Sequence, residues 1–176
     1  VALIVEDGTN VSGADALAAL AFVDAYHSSM GNTTWTGDDT SIKEPAIRRA
    51  TAFLSNSYNW KGNRVDGRDQ ALAWPRAGVV DQDGYGIDSN EIPTELQNAV
   101  AEIALRELVT PGTMNPDFTQ SAMVKSEKVG PLAVEYLNSS TSADAQRPVL
   151  LVVRDMIGQF LVNGGTNRFS GRTVRA

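Results

Sequence analysis

The chain contains no cysteine. Disulfide frameworks, thiolate zinc sites and cysteine nucleophiles are excluded together, and the redox compartment is left open. Histidine is almost as scarce, with His27 alone, and no nucleophile-base pair can be assembled from one imidazole and scattered carboxylates. No serine elbow, metal-ligand spacing or phosphate loop is present either, so the expectation is a protein that is not an enzyme and uses no cofactor or metal. No apolar run approaches the roughly 20 residues of a membrane span. The stretch VALIVEDGTN lacks the basic start and long apolar core of a signal peptide. A soluble, cytoplasmic protein without membrane contact is therefore expected. Positive charge is also in short supply: 15 Lys plus Arg stand against 21 Asp plus Glu, for a net charge of -6. That balance argues against wrapping nucleic acid by charge neutralisation, while leaving room for a local basic patch.

What is present fits one domain of ordinary size, at 176 residues and 42% hydrophobic. EDGTNVSGADA (6–16) is rich in turn formers and reads as a flexible N-terminal arm covering 1–16. ALAALAFVDAYHSSMGN then has the spacing of a first helix, ended by Gly31 and Asn32. In GDDTSIKEPAIRRATAFLSNSYNW, Asp39 or Thr40 offers an N-cap. Ile42, Ala46, Ala50, Phe53 and Leu54 follow at helical spacing, with Pro45 near the first turn. Residues 61–91 carry five glycines and no sustained periodicity. Leu72, Trp74, Val79, Val80, Tyr85 and Ile87 favour an ordered loop held by apolar anchors. Pro93 at the first helical position opens a helix with Glu95 in its first turn and Leu96, Ala99, Val100, Ile103, Ala104 and Leu108 on one stripe. SAMVKSEKVGPLAVEYL alternates on either side of Gly130-Pro131 as a hairpin does. RPVLLVVRDMIGQFLV returns to helix, and NGGTNRFSGRTVRA is a glycine-rich basic tail. The expected fold is mainly α: a small bundle of about four helices over a core of 17–162, with one β-hairpin, a long structured loop and an extended tail at 163–176.

Three groups invite a chemical reading. DQDGYGID places Asp81, Asp83 and Asp88 around a glycine, but Gly84 is fourth and Ile92 twelfth where a calcium loop needs glycine at six and glutamate at twelve, which favours a plain turn. Trp74-Pro75-Arg76 could stack a base beside a phosphate-binding arginine; the alternative, favoured here, is that Leu72, Trp74 and Pro75 anchor the loop. Lys61, Arg64, Arg68 and Arg76 crowd four charges into sixteen residues, as a solvated face or as a partner or DNA contact. His27 reads as a helix C-terminal histidine favoured by the dipole.

GNTTWTGDD, the long run from YNWKGNRVDGRDQ to ALREL, SEKVGPLAVEY and the closing RTVRA resemble a family of tailed-bacteriophage head-tail connector (adaptor) proteins, also labelled DnaT-like single-stranded DNA-binding. The resemblance covers roughly residues 5–175 and rests on Gln70, Leu72, Trp74, Pro75, Arg76, Gly78, Asp83, Gly84, Ile92, Pro93 and SEKVGPL (126–132). It implies a homo-oligomeric ring, matching a portal's twelve-fold symmetry, located in the virion neck after assembly in the host cytoplasm. The implied partners are the portal protein, a downstream stopper or tail-completion protein, and genomic double-stranded DNA passing without sequence-specific binding. Candidate subunit or portal contacts are Arg76, Asp83, Tyr85, Arg168, Arg172 and Arg175. The second label implies a single-stranded DNA-binding replication protein instead.

Overall fold

The computed structural model describes residues 2–116, 126–129, 132–135, 148 and 150–162. Five α-helices occur among them: α1 (Leu20–Ser29), α2 (Thr33–Thr36), α3 (Thr40–Ser57), α4 (Thr94–Val109) and α5 (Leu151–Ile157), the last running into a 3₁₀ turn at Gly158–Phe160. The fold is mainly α, as the periodicity indicates. Helix α4 is its centre because every residue of the expected stripe, from Leu96 to Leu108, is buried. Ala99, Ala101 and Ala104 keep that helix thin, so α1, α2, α3 and α5 all pack against it, α3 most extensively. Pro93 sits one position earlier than expected: its carbonyl accepts from the amides of Leu96 (3.0 Å) and Gln97 (3.2 Å), which makes it the N-cap.

The other end of α4 is closed by a buried carboxylate. Glu107, 2% exposed, receives the amides of Gly112 (2.7 Å) and Met114 (3.0 Å) and the Arg49 guanidinium of α3 (2.8 Å). One side chain thereby satisfies the turn after α4 and ties it to α3.

In α3 the buried face runs through Ala46, Ile47, Ala50, Phe53 and Leu54. Two expectations differ there. Ile42 is 46% exposed, because the inward position of the first turn is taken by Lys43, whose ammonium reaches Asp24 of α1 at 3.0 Å and lies over the Trp35 ring. Asp39 is the N-cap by backbone position but its side chain makes no cap hydrogen bond, and Pro45 lies in the second turn.

The leading segment is folded, which corrects its reading as a flexible arm. Val5 and Ala16 form a parallel bridge, with the Glu6 amide donating to the Ala16 carbonyl at 2.8 Å. The buried Glu6 carboxylate collects the amides of Gly8, Asn10 and Val11, each at 2.9 Å. Gly8 has a positive φ and a Cβ there would overlap the Asn90 carbonyl, so only glycine lets this turn pack beside the start of α4. Ala16 in its bridge and Leu17 and Ala18 in the bend after it are all buried, and the first helix begins only at Leu20.

His27 is fully buried, and a carbonyl can only accept, so its Nε2 donates to Ala101 of α4 (3.0 Å) while Nδ1 accepts from the Asn32 amide (2.9 Å). It is a neutral linchpin between α1 and α4 rather than a solvated charge favoured by the helix dipole. Burial pushes its pKa down, against opposing contributions from the Ala101 carbonyl, Glu102 and Asp24, with Lys43 adding to the depression. A folded pKa below the unfolded value of 6.5 means the unfolded chain takes up the proton first. The stabilisation is therefore full above that value and is lost as pH falls through the folded pKa. Urea unfolding at about pH 7.5 and about pH 5 should show this loss in the native chain. The part due to His27 should vanish in His27→Gln; an unchanged pH dependence in that variant would sink the assignment.

Between α3 and α4 the chain forms a structured loop with two short strands, β1 (Asn63–Arg64) and β2 (Arg76–Ala77), paired antiparallel with Asn63 opposite Ala77 and Arg64 opposite Arg76. A second hairpin, β3 (Ser126–Val129) and β4 (Leu132–Glu135), has the expected position, with Val129 opposite Leu132 across Gly130-Pro131. Helix α5 is shorter than its apolar run suggests, because the chain tightens into the 3₁₀ turn at Gly158.

Candidate nucleic-acid interface

The loop is fastened by aromatic side chains. Phe53, Tyr58, Trp60, Trp74 and Phe160 make successive edge-to-face contacts with ring centroids 5.7 to 6.1 Å apart, the geometry that ring quadrupoles favour. The series joins the end of α3, the loop and the 3₁₀ turn. Trp74 is 0% exposed, Leu72 and Pro75 are buried beside it, and the Trp74-Pro75 peptide is cis. Buried Gln70 braces the turn, its amide donating to the carbonyls of Leu72 and Pro75 at 3.0 Å each. Trp74 therefore has no open face for a base.

Arg76 leaves this turn on strand β2 and binds backbone: Nε to the Lys61 carbonyl (2.6 Å), one terminal nitrogen to Ala73 (3.1 Å) and the other to Gly62 (2.6 Å). Gly62 has a positive φ, and a Cβ there would overlap the Ala77 carbonyl, so glycine sets the close approach of the two strands. Directly across the ladder stands Arg64, whose one described hydrogen bond is a long contact to the Gln70 carbonyl at 3.4 Å. Burial and then the Arg64 charge pull the Arg76 pKa below its usual value, although the guanidinium remains protonated. Like charges facing each other across two strands are destabilising.

These arginines line a polar cleft of about 310 Å³ together with Ser55, Asn56, Tyr58, Asn59, Trp60 and Ala73. No lining residue is a carboxylate. Tyr58 forms part of the wall; burial raises its pKa, opposed by the charge of Arg154 on α5. The Lys61 ammonium donates to the Gln159 carbonyl at 2.6 Å. Cations elsewhere are neutralised: Lys43 by Asp24, Arg48 by Asp15, Arg49 by Glu107 and Arg106 by Glu102. Among the described residues Lys61, Arg64, Arg68, Arg76 and Arg154 make no such ion pair, and of these Arg64 and Arg76 line the cleft. A larger groove of about 630 Å³ runs beside α4, but its one described cation, Arg106, is already held by Glu102 at 2.8 Å.

Of the sequence candidates, Arg76 belongs to this cleft, and Arg64, singled out only as one of four clustered charges, proves to be its cross-strand neighbour. Asp83 and Tyr85 lie apart on an exposed turn in which Asp81 accepts the amides of Asp83 (2.9 Å) and Tyr85 (2.8 Å). That carboxylate closes the turn, consistent with the plain-turn reading, and no group of three or more potential metal ligands occurs among the described residues. Arg168, Arg172 and Arg175 lie outside the described residues. Arg154 and Ser55 were missed: neither belongs to a sequence cluster, and only the packing of α5 and α3 around Tyr58 brings them near. Among the described residues, no helix is long and apolar enough to cross a membrane.

The structure defines a mainly helical domain with a polar cleft lined by two arginines that have no carboxylate partner. A family model spans residues 1–176: the chain belongs to the family described as "Putative DnaT-like ssDNA binding protein". No curated protein and no solved structure matches the chain. The family match corrects the head-tail connector assignment, and with it the implied roles in the virion neck and in portal binding. Helices, a hairpin and long loops are common to many small domains and do not distinguish a connector.

Proposed function

We propose that this protein binds single-stranded DNA through the cations around the 58–76 cleft. The observation that carries the reading is the partition of charge: Lys43, Arg48, Arg49 and Arg106 on α3 and α4 have carboxylate partners, whereas Lys61, Arg64, Arg68 and Arg76 of the loop and Arg154 of α5 have none among the described residues. The chain's family, described by single-strand binding, supports the same polyanion. Net charge of -6 repels DNA from the rest of the surface, so a strand is confined to the basic face. Phe53, Tyr58, Trp60, Trp74 and Phe160 are buried, and Tyr85, 73% exposed, is the described aromatic most open to a base. Phosphate contacts therefore outweigh stacking, and sequence preference is weak.

Fluorescence anisotropy with a labelled oligothymidylate tests this. Three or four phosphate contacts predict that log K falls with log salt at a slope between about -2 and -3. Absence of binding at low salt would remove the proposal, and equal affinity for a duplex of the same length would show that the single strand is not what is selected.

A further inference from the structure

The cleft has more donors than its own protein groups use. Arg76 spends three of its five N–H groups on carbonyls, leaving two. Arg64 spends one, on the long bond to Gln70, leaving four without an acceptor among the described residues. Two further lining residues hold buried polar atoms with no partner: the Trp60 indole Nε1, in a side chain only 8% exposed, and the Ser55 hydroxyl. An indole N–H can only donate, so a buried one calls for an acceptor. Excess donors, two facing positive charges and no carboxylate in the lining are together the complement of a tetrahedral oxyanion.

We infer that the cleft between Arg64 and Arg76 seats one phosphate group, with the two guanidinium groups supplying charge and Trp60 Nε1 and the Ser55 hydroxyl supplying neutral hydrogen bonds. The source of that phosphate rests on the single-strand reading: an internal phosphodiester or the strand's terminal phosphate. A seated anion also relieves the repulsion of the cross-strand arginine pair, so occupancy stabilises the loop as well as holding the strand. The cleft volume of about 310 Å³ lies near the lower end of small-ligand sites, about 300–1,000 Å³, which suits one phosphate with part of its nucleotide.

The test uses the full chain, its Arg64→Gln variant and Trp60→Phe. Arg64 makes only one long hydrogen bond and faces a like charge, so Arg64→Gln should melt at or slightly above the native temperature in sodium chloride; Arg64→Lys, which keeps the charge but not the fork, is the substitute if it melts lower. Replacing chloride by inorganic phosphate at equal ionic strength should raise the native melting temperature. That shift should be absent in Arg64→Gln and reduced in Trp60→Phe, whose charge is unchanged. Oligothymidylate binding should weaken about tenfold in Arg64→Gln, as for one lost charge-assisted contact. Stronger binding of a 5′-phosphorylated strand than of its 5′-hydroxyl twin assigns the seat to a terminal phosphate, and equal binding assigns it to the backbone.

An equal melting temperature in phosphate and chloride, or an undiminished phosphate shift in Arg64→Gln, overturns the seat whether or not DNA binds. An Arg64-dependent phosphate shift with no oligonucleotide binding keeps the seat and overturns the single-strand reading instead.

Discussion

Glu107→Ala should lower the unfolding free energy by about 3–5 kcal/mol, the range for removing one partner of a buried charged pair. The cause is local and countable. Without the carboxylate, the amides of Gly112 and Met114 lose their acceptor and Arg49 keeps a charge with no counterion in place. Glu107→Gln should fall between the native chain and Glu107→Ala, because its amide oxygen still accepts while its NH₂ faces one of the remaining donors. Arg49→Ala should cost less than Glu107→Ala, since the Arg49 side chain is 38% exposed and water can replace what it loses. Urea titrations of the three variants would check the order. A loss below about 1 kcal/mol in Glu107→Ala would mean that solvent reaches the turn after α4 and satisfies it.

Trp74→Ala should cost a comparable 3–5 kcal/mol or so, the range for removing a large aromatic from a core. Trp74 contacts both Trp60 and Phe160, so its loss detaches the loop from α3 and from the 3₁₀ turn at once. Trp74→Phe separates packing from hydrogen bonding. The Trp74 Nε1 is buried without a partner, so removing it relieves a desolvation penalty of about 1–3 kcal/mol while the smaller ring leaves a void. These effects oppose each other, and the Phe variant should remain within about 1.5 kcal/mol of the native chain. Equilibrium unfolding followed by far-UV circular dichroism would measure both. A Trp74→Ala loss below about 1 kcal/mol would contradict its role as the loop's anchor. Because Arg76 is held to backbone carbonyls of this same loop, Trp74→Ala should also weaken oligonucleotide binding, whereas Trp74→Phe should leave it near native.

The legible parts of the fold were those in which one segment's pattern sufficed. Helix α4 was readable from a stripe of six apolar residues behind Ile92-Pro93, and the β3–β4 hairpin from alternation around Gly130-Pro131. The N-terminal segment was misread because polar turn formers signal an exposed arm only if nothing satisfies their amides. Glu6 satisfies three of them from inside the core, and no periodicity announces that. Ile42 went astray for a related reason: helical spacing placed it on the stripe, but the inward place belongs to Lys43, whose charge is met by Asp24 on another helix.

The candidate site was legible only as composition. Four basic residues crowd into 61–76 in an acidic chain, and that remains visible without coordinates. That none of them is paired, while Lys43, Arg48, Arg49 and Arg106 are, was not visible, since pairing depends on helices that meet in space. The β1–β2 register that sets Arg64 opposite Arg76, the cleft in which Trp60 Nε1 lacks a partner, and the charge of Arg154 acting from α5 were likewise decided by tertiary structure. The amino-acid sequence by itself determined the helical character, the central helix, the hairpin, the acidic balance and the lack of thiol chemistry, because each follows from residue type or short-range periodicity. Which charges are neutralised and which remain available to an anion depends on contacts between residues far apart in the chain, and only folding brings those together.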